Sequence, residues 1–169
     1  MNWIAIAGSW RKTNQEIELK VRKTVKEIIL RGDGIVSGGA LGVDYFSLDE
    51  AMKRNLDCKK IKIFLPSNLE VFSRHFYQRA DEGVIGWEQA RRLIAQLKKL
   101  KEINPEALIE NQEVKLINQD AYYARILQII NQADGLIAFQ VNKSAGVQYT
   151  INQAKEKGLP IKVYSYRVS

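Results

Sequence analysis

The chain has 169 residues, 46% hydrophobic and 27% charged, a composition typical of one globular domain with a buried core. Lysine and arginine outnumber aspartate and glutamate by 26 to 19, and the net charge of +7 fits either anionic partners or a solvated lysine-rich surface. A single cysteine, Cys58, excludes an internal disulfide, and a single histidine, His75, excludes a multi-histidine metal site.

The first residues, Met1 to Gly8, contain neither a basic segment nor an apolar run long enough for a signal peptide or a membrane span. Together with the single cysteine, this favours a reducing compartment. We therefore expect a cytoplasmic protein without a membrane partner.

Short apolar runs alternate with longer stretches of helical periodicity along the chain. The second helix follows a glycine-rich turn, and Thr13 or Asn14 is a plausible cap for the first. Residues 68–119 are less regular, and we interpret them as a helical insertion between the third and fourth strands. The pattern predicts strands at 3–7, 34–37, 60–65, 135–141 and 161–166, and helices at 14–31, 43–55, 88–101, 120–132 and 146–157.

This alternation predicts an α/β fold in one domain, residues 1–169, with three layers and a mainly parallel, Rossmann-like sheet. Ligands of such sheets bind at the carboxyl ends of the strands. Four predicted loops fall at those ends: Gly8–Ser9, Ser37–Gly39, Pro66–Ser67 and Asn142–Gly146. We expect these loops to meet at one edge of the sheet.

The second of these loops lies in the most informative stretch, Ile35 to Asp44, where a β-branched run ends in three glycines and an aspartate. Glycines let a backbone approach an anion closely, and the free N–H groups of a following helix point at it. The same residues also suit a tight strand-to-helix turn without a ligand.

Four segments of the chain combine into a recognisable pattern: Ile4–Ser9, Val36–Asp44, Ala133–Phe139 and Ser144–Val147. Together they resemble the superfamily that unites DNA-processing protein A (DprA, also called Smf) with the LOG nucleoside-monophosphate phosphoribohydrolases, together called SLOG. The second reads SGGALGVD from Ser37 and is most similar to the signature of the DprA branch. The resemblance implies a Rossmann-like fold whose glycine loops bind a nucleotide or the phosphates of single-stranded DNA.

The resemblance also implies which residues line the ligand site, and their neighbours in the same loops complete the candidate set. Arg125 is similar to an arginine that related small proteins direct towards the ligand, and a guanidinium there can hold a phosphate by two hydrogen bonds. The candidate ligand-binding residues are Gly8, Ser9, Trp10, Arg11, Ser37, Gly38, Gly39, Ala40, Gly42, Asp44, Pro66, Arg125, Ser144, Ala145, Gly146 and Val147.

The fourth loop departs from the LOG pattern Pro-Gly-Gly-x-Gly-Thr-x-x-Glu. The Pro-Gly-Gly is missing, Val147 stands in place of the threonine, and Thr150 stands in place of the glutamate. Cleavage of an N-glycosidic bond needs a group that stabilises an oxocarbenium-like state or activates water, and a threonine hydroxyl supplies neither. The sequence therefore argues against LOG-type phosphoribohydrolase activity and identifies no catalytic residue.

Three candidate residues keep two or more interpretations. Trp10, where related small proteins have arginine, either stacks on a base or packs against the core or its rim. Arg125 either grips a phosphate or lies on a helix surface. Asp44 either binds a ribose hydroxyl, coordinates Mg²⁺ through water, or caps the second helix.

The segment after the third strand is also open to two interpretations. Arg74, His75 and Arg79 can contact phosphates and bases at the ligand edge. Alternatively, the segment is an ordinary amphipathic helix with Phe72 and Phe76 packed inward.

These features support three hypotheses about function. The first is a nucleotide-binding protein without LOG-type activity. The second is a DprA-like protein that binds single-stranded DNA in DNA processing or recombination, and the third is a nucleotide hydrolase with a different catalytic group. We also expect a homo-oligomer, because the superfamily often dimerises and because the amphipathic 68–119 segment must bury its apolar face.

Overall fold

A computed structural model describes residues 1–169 as a three-layer α/β fold around one six-stranded sheet. The fold class expected from the sequence is confirmed. The elements are β1 (Trp3–Gly8), α1 (Gln15–Leu30), β2 (Gly34–Gly38), α2 (Val43–Arg54), β3 (Ile61–Phe64), α3 (Leu69–Asp81), α4 (Trp87–Ile103), β4 (Leu108–Ile109), α5 (Gln119–Gln132), β5 (Gly135–Val141), α6 (Ala145–Lys157) and β6 (Ile161–Tyr166).

The sheet order is β4-β3-β2-β1-β5-β6, and every neighbouring pair is parallel. The chain therefore builds outward from β1 in one direction, then crosses back and continues on the other side of β1. The strand order reverses between β1 and β5, which is where parallel sheets leave a crevice for ligands. The loops after β1, β2 and β5 surround that crevice.

The two faces of the sheet carry two separate hydrophobic clusters. Helices α1 to α4 share the larger cluster of 29 buried residues. Helices α5 and α6 cover the opposite face with a cluster of 11. Helices α2 and α5 therefore lie on opposite faces of the sheet, and side chains from the two helices can face each other at the carboxyl ends of the strands.

The 68–119 insertion is more regular than its sequence suggests. It forms α3, α4 and the two-residue strand β4, which pairs with β3 through Ile63 with Leu108 and Phe64 with Ile109. The sequence missed β4, since two residues show no period. The insertion covers its own apolar face, because α4 buries Ala90, Leu93, Ile94, Leu97 and Leu100 inside the chain. That face needs no partner subunit, and homo-oligomerisation stays a prediction.

None of the helices combines the length and the apolar character that a membrane crossing requires.

Gly42 fixes how the loops after β1 and β2 fit together. Its backbone has φ of 69° and ψ of −126°, and an added Cβ would lie 2.3 Å from Ser9 O. The next residue, Val43, donates its N–H to the same carbonyl at 3.0 Å. Backbone thus touches backbone, and no side chain fits between the two loops.

We expect Gly42→Ala to lower the free energy of unfolding by about 3 kcal/mol, because it adds a backbone clash to a strained conformation. Gly83→Ala is the matched control, since Gly83 has φ of 78° but open space around it. The control substitution should cost only about 1 kcal/mol. Urea unfolding measures both values, and equal losses would contradict the proposed contact.

Candidate functional site

Two helices begin at the crevice without a side-chain cap. Asparagine side chains cap α1, α3 and α5, where Asn14, Asn68 and Asn118 each accept a backbone N–H at 2.8–2.9 Å. By contrast, α2 and α6 begin after Gly42 and Ser144, and neither residue makes a side-chain cap bond. Uncapped N–H groups carry a partial positive charge that attracts anions.

At the start of α6, the polar groups remain unpaired. The N–H groups of residues 145–147 donate to no backbone carbonyl and no side chain of the chain. The Ser144 hydroxyl is buried and also lacks a partner. Around Gly146, an added Cβ would meet nothing within 4 Å. This helix start therefore offers donors and space for a negatively charged group.

The loop that leads into α6 is held in an unusual conformation. Asn142 and Lys143 both adopt positive φ, 51° and 53°. The Asn142 side chain exchanges two hydrogen bonds with the backbone of Val168, at 2.7 and 2.9 Å. The C-terminal residues thus hold residues 142 and 143 in place. The backbone strain at these two residues lies next to the candidate site.

Arg125 on α5 is a buried cation without an ionic partner. Its residue exposure is 9%, and its guanidinium takes part in none of the hydrogen bonds or ion pairs of the chain. Nε and Nη1 are buried and unsatisfied. The guanidinium lies over the ring of Tyr122, 5.1 Å from its centroid. Burial of an unpaired charge costs free energy, and a bound anion would reduce that cost.

The guanidinium of Arg125 lies against Gly38, the last residue of β2. A Cβ at Gly38 would be 2.8 Å from Cζ and Nη1 of Arg125, and 2.8 Å from Oδ2 of Asp44. Glycine is required here because two side chains from opposite layers converge on its Cα. The absence of a side chain at Gly38 in the Ser37–Gly39 segment therefore leaves space for protein side chains as well as for any ligand.

Asp44 lies in the first turn of α2 and is buried. Its Oδ1 lies 3.0 Å from the hydroxyl of Ser37, which is also 3.0 Å from Ile6 O, and its Oδ2 accepts the N–H of Ala40 at 3.3 Å. Burial raises the pKa of Asp44, against the opposing effects of the Arg125 charge and the two hydrogen bonds. The carboxyl is thus held firmly, with Oδ2 only weakly satisfied.

The other candidate residues lie exposed at the rim of the crevice or buried within the protein. Trp10 and Arg11 are exposed at the rim, with the Arg11 guanidinium 5.5 Å from the Trp10 ring centroid, so Trp10 does not pack in the core. Ser9 is buried and its hydroxyl accepts the N–H of Lys12. Four candidates are packed against the protein itself: Gly8 on Val43, Gly39 on Leu65, Pro66 in a buried turn and Val147 in the smaller cluster.

The Thr150 side chain is engaged within α6. It is buried, and its hydroxyl donates to Gly146 O at 3.0 Å. Its side chain therefore serves the helix. No group of three or more His, Cys, Asp or Glu side chains comes together that could hold a metal ion.

The segment after β3 forms α3, with Phe72 and Phe76 buried. His75 faces α5, where its Nε2 lies 3.4 Å from the hydroxyl of Tyr122. The sequence did not single out Tyr122, although its position three residues before Arg125 places the two on one helix face. Helix α3 thus contacts the residue that supports the candidate arginine.

The environment of His75 favours its neutral form. Burial, and then the charge of Arg79, lower the pKa of His75, against a smaller opposite effect of Glu82. Tyr122 is the facing titratable group on α5. Because the unfolded chain takes up a proton near the ordinary value of 6.5 and the folded chain only at lower pH, stability is lost as the pH falls below that value.

We therefore expect the free energy of unfolding to decrease between about pH 6.5 and pH 5, and His75→Gln to reduce this decrease. Chemical unfolding across this range compares the two proteins, and the difference isolates the histidine from carboxylates such as Asp44. An identical pH dependence in both proteins would show that His75 is not held neutral.

Comparison with known proteins finds matches among solved structures. No protein-family model and no curated protein matches the sequence. DNA processing protein A from Helicobacter pylori superposes with a TM-score of 0.68 at 21% identity, over 96% of this chain and 64% of that one. Its counterpart from Streptococcus pneumoniae gives 0.65 at 17%, over 96% and 50%. The molybdenum cofactor carrier protein of Chlamydomonas reinhardtii gives 0.55 at 11%, over 100% and 91%.

The chain therefore spans about two thirds or less of the length of the two DNA processing proteins. Identities of 11–21% establish a shared fold. The fold that the resemblance implies is confirmed: the chain has a Rossmann-like fold, which it shares with these three proteins.

Proposed function

We propose that the chain binds a nucleotide by its phosphate in the crevice at the ends of β1, β2 and β5. The observation that carries this proposal is Arg125, whose buried guanidinium has unsatisfied donors at the carboxyl edge of the sheet. A phosphate is the anion that a guanidinium fork matches best, through two parallel charge-assisted hydrogen bonds.

The start of α6 supports the same ligand. Free N–H groups at residues 145–147, the unpaired hydroxyl of Ser144 and the open space at Gly146 are features that a phosphate would use. Of the candidate glycines, Gly8, Gly38, Gly39 and Gly42 are already needed by contacts within the protein, whereas Gly146 is not. The open space at Gly146 leaves room for a phosphate beside these donors.

We propose binding without LOG-type cleavage. The glutamate of the LOG pattern is replaced by Thr150, and that hydroxyl is engaged in the helix. Asp44, which lies near Arg125 at Gly38, is buried and bonded to Ser37 and Ala40. We therefore assign Asp44 and Arg125 to recognition of the ligand.

We expect Arg125→Met to weaken binding of nucleoside 5′-monophosphates at least about tenfold, since a charge-assisted hydrogen bond is worth about 1.5–3 kcal/mol. Stability should change little or rise, by about 1 kcal/mol, because the substitution removes an unpaired buried charge. Calorimetric titration and urea unfolding measure the two effects.

The matched control for this substitution is Arg91→Met, since Arg91 is exposed on α4 and pairs with Glu88. The control should leave the affinity unchanged. Equal affinity of the Arg125→Met variant and the unaltered chain would remove Arg125 from the site. A large loss of stability in that variant would instead give the arginine a structural role.

A second candidate is binding of single-stranded DNA through the same crevice. The H. pylori protein is described as binding single-stranded DNA, and the net charge of +7 favours a polyanion. Binding to an oligonucleotide should weaken steeply with salt, and Arg125→Met should reduce the slope of log K against log salt by about 0.7, the value for one phosphate contact. Binding that is insensitive to salt would contradict this second candidate.

A further inference from the structure

We propose that the outer edge of β6 is a docking site for an extended, acidic segment of a partner protein, which adds to the sheet as a further strand. Three features of this edge carry the proposal: its unpaired backbone, the groove beside it and the charges around that groove. The edge lies outside the crevice, so this binding is independent of the nucleotide site.

The two edges of the sheet differ in how much backbone they offer to another strand. At one edge, β4 has two residues, Leu108 and Ile109, and such a short edge strand gives little for another strand to pair with. At the other edge, β6 has six residues, contains no proline and has β5 as its only neighbour. This second edge is long enough to accept an added strand.

The hydrogen bonds between β5 and β6 show which backbone groups face away from the sheet. Leu136 donates its N–H to Pro160 O, and Asn142 donates its N–H to Tyr166 O, so the even-numbered residues of β6 bond to β5. Because backbone groups alternate in direction along a strand, the N–H and C=O groups of the odd-numbered residues point outward. Val163 lies in the middle of these residues and is 39% exposed.

A groove lies beside this edge, on the face of the sheet that α1 covers. Its volume is about 310 Å³, and residues of α1, β5 and β6 line it. Tyr164 and Tyr166 pack against the larger hydrophobic cluster on this face, whereas Ile161 packs against the smaller cluster on the other face. Side chains alternate between the faces of a sheet, so every second residue of an added strand would lie on the face that carries the groove.

The charges around the groove are mostly positive. No ion pair of the chain includes any of the three lysines that line it. Two of them, Lys20 and Lys162, place Nζ 4.8 and 5.1 Å from the ring centroid of Tyr164. Carboxylates on alternate residues of an added strand would therefore meet unpaired lysines. The charged lining residues are Lys20, Lys23, Arg31 and Lys162, with Glu27 as the one acidic group.

A second copy of the chain fits this edge poorly. If β6 paired with β6 of another copy around a two-fold axis, the α1 helices of both copies would lie on the same face of the continuous sheet. The lysines around each groove would then approach those of the other copy, and like charges across a strand pair are destabilising. Lysine on an edge strand is a known means of preventing such self-pairing. The charges therefore favour an acidic partner over a second copy.

Single-stranded DNA matches the lysines but not the edge itself. Its sugar-phosphate backbone has no row of N–H donors, so it cannot pair with alternating N–H and C=O groups. An extended peptide supplies both kinds of group to the edge, and its side chains supply the negative charge.

The test is a fluorescence anisotropy titration with a labelled peptide of alternating glutamate and valine, about eight residues long, which is a usual strand length. Both ends of the peptide are blocked. The matched peptide has lysine in place of every glutamate. We expect the acidic peptide to bind at least about tenfold more tightly than the lysine peptide, because only the acidic peptide complements the charges of the groove.

One pair of variants tests the backbone contact. Val163→Pro removes an outward N–H and leaves the bonds to β5 in place, so it should weaken binding of the acidic peptide at least about fivefold. Val163→Ala is the matched control, because it shortens the side chain and keeps the N–H. The control should bind the peptide as the unaltered chain does.

A second pair of variants tests the charges. Reversing two groove lysines together, Lys23→Glu with Lys162→Glu, should weaken binding of the acidic peptide at least about fivefold. The matched control is Lys98→Glu with Lys99→Glu on α4, since both lysines are exposed and the net charge changes equally. This control should change the affinity less than about twofold, because its charges lie away from β6.

Every other outcome overturns the proposal. Absence of binding by the acidic peptide, or equal binding of the two peptides, would remove the acidic segment as the occupant. Equal affinities of Val163→Pro and Val163→Ala would show that the peptide does not pair with β6. If Val163→Pro fails to fold by circular dichroism, Ser165→Pro removes another outward N–H and takes its place in the comparison.

Two further measurements identify a different occupant. Self-association that sedimentation detects and that Val163→Pro abolishes would make a second copy the occupant. Displacement of the labelled peptide by a single-stranded oligonucleotide at lower concentration than by the unlabelled peptide would make nucleic acid the occupant.

Discussion

The contact between the loops after β1 and β2 is the constraint on which the crevice depends. Val43 donates its N–H to Ser9 O across the two loops, and Gly42 leaves no room for a side chain between them. This contact sets the start of α2 directly over the sheet edge. Asp44 follows within the first helical turn and is therefore held at the end of β2, where Arg125 arrives from the other layer.

Arg125 is the residue on which the proposed anion binding in the crevice depends. Elsewhere, asparagine side chains cap α1, α3 and α5, and charged groups such as Arg22 and Asp49 are paired, at 2.7 Å. A guanidinium left buried and unpaired is an exception of the kind that occurs at functional sites, where local stability is given up for binding. The aromatic support of Tyr122 holds the group in place without neutralising it.

The sequence predicted the fold well because strand and helix periods alternate over most of the chain. It also predicted that Ser37, Gly38, Asp44 and Arg125 belong to one edge, through the resemblance and the carboxyl-end rule. What it could not supply was the role of each glycine. The sequence pattern predicts a phosphate-binding loop at Gly39 and Gly42. In the structure, Gly39 packs against Leu65 and Gly42 packs against the backbone of Ser9. Such contacts join residues that are far apart in the chain, so the local sequence pattern does not predict them.

Our central proposal is that a nucleotide phosphate satisfies the unpaired guanidinium of Arg125. A crystal structure grown with a mixture of ribonucleoside 5′-monophosphates tests this most directly. We expect a phosphate about 2.7–3.0 Å from the guanidinium, a normal hydrogen-bond distance, and next to the start of α6. A structure in which Arg125 closes onto Asp44 as an ion pair, with the nucleotide absent or bound elsewhere, would contradict it.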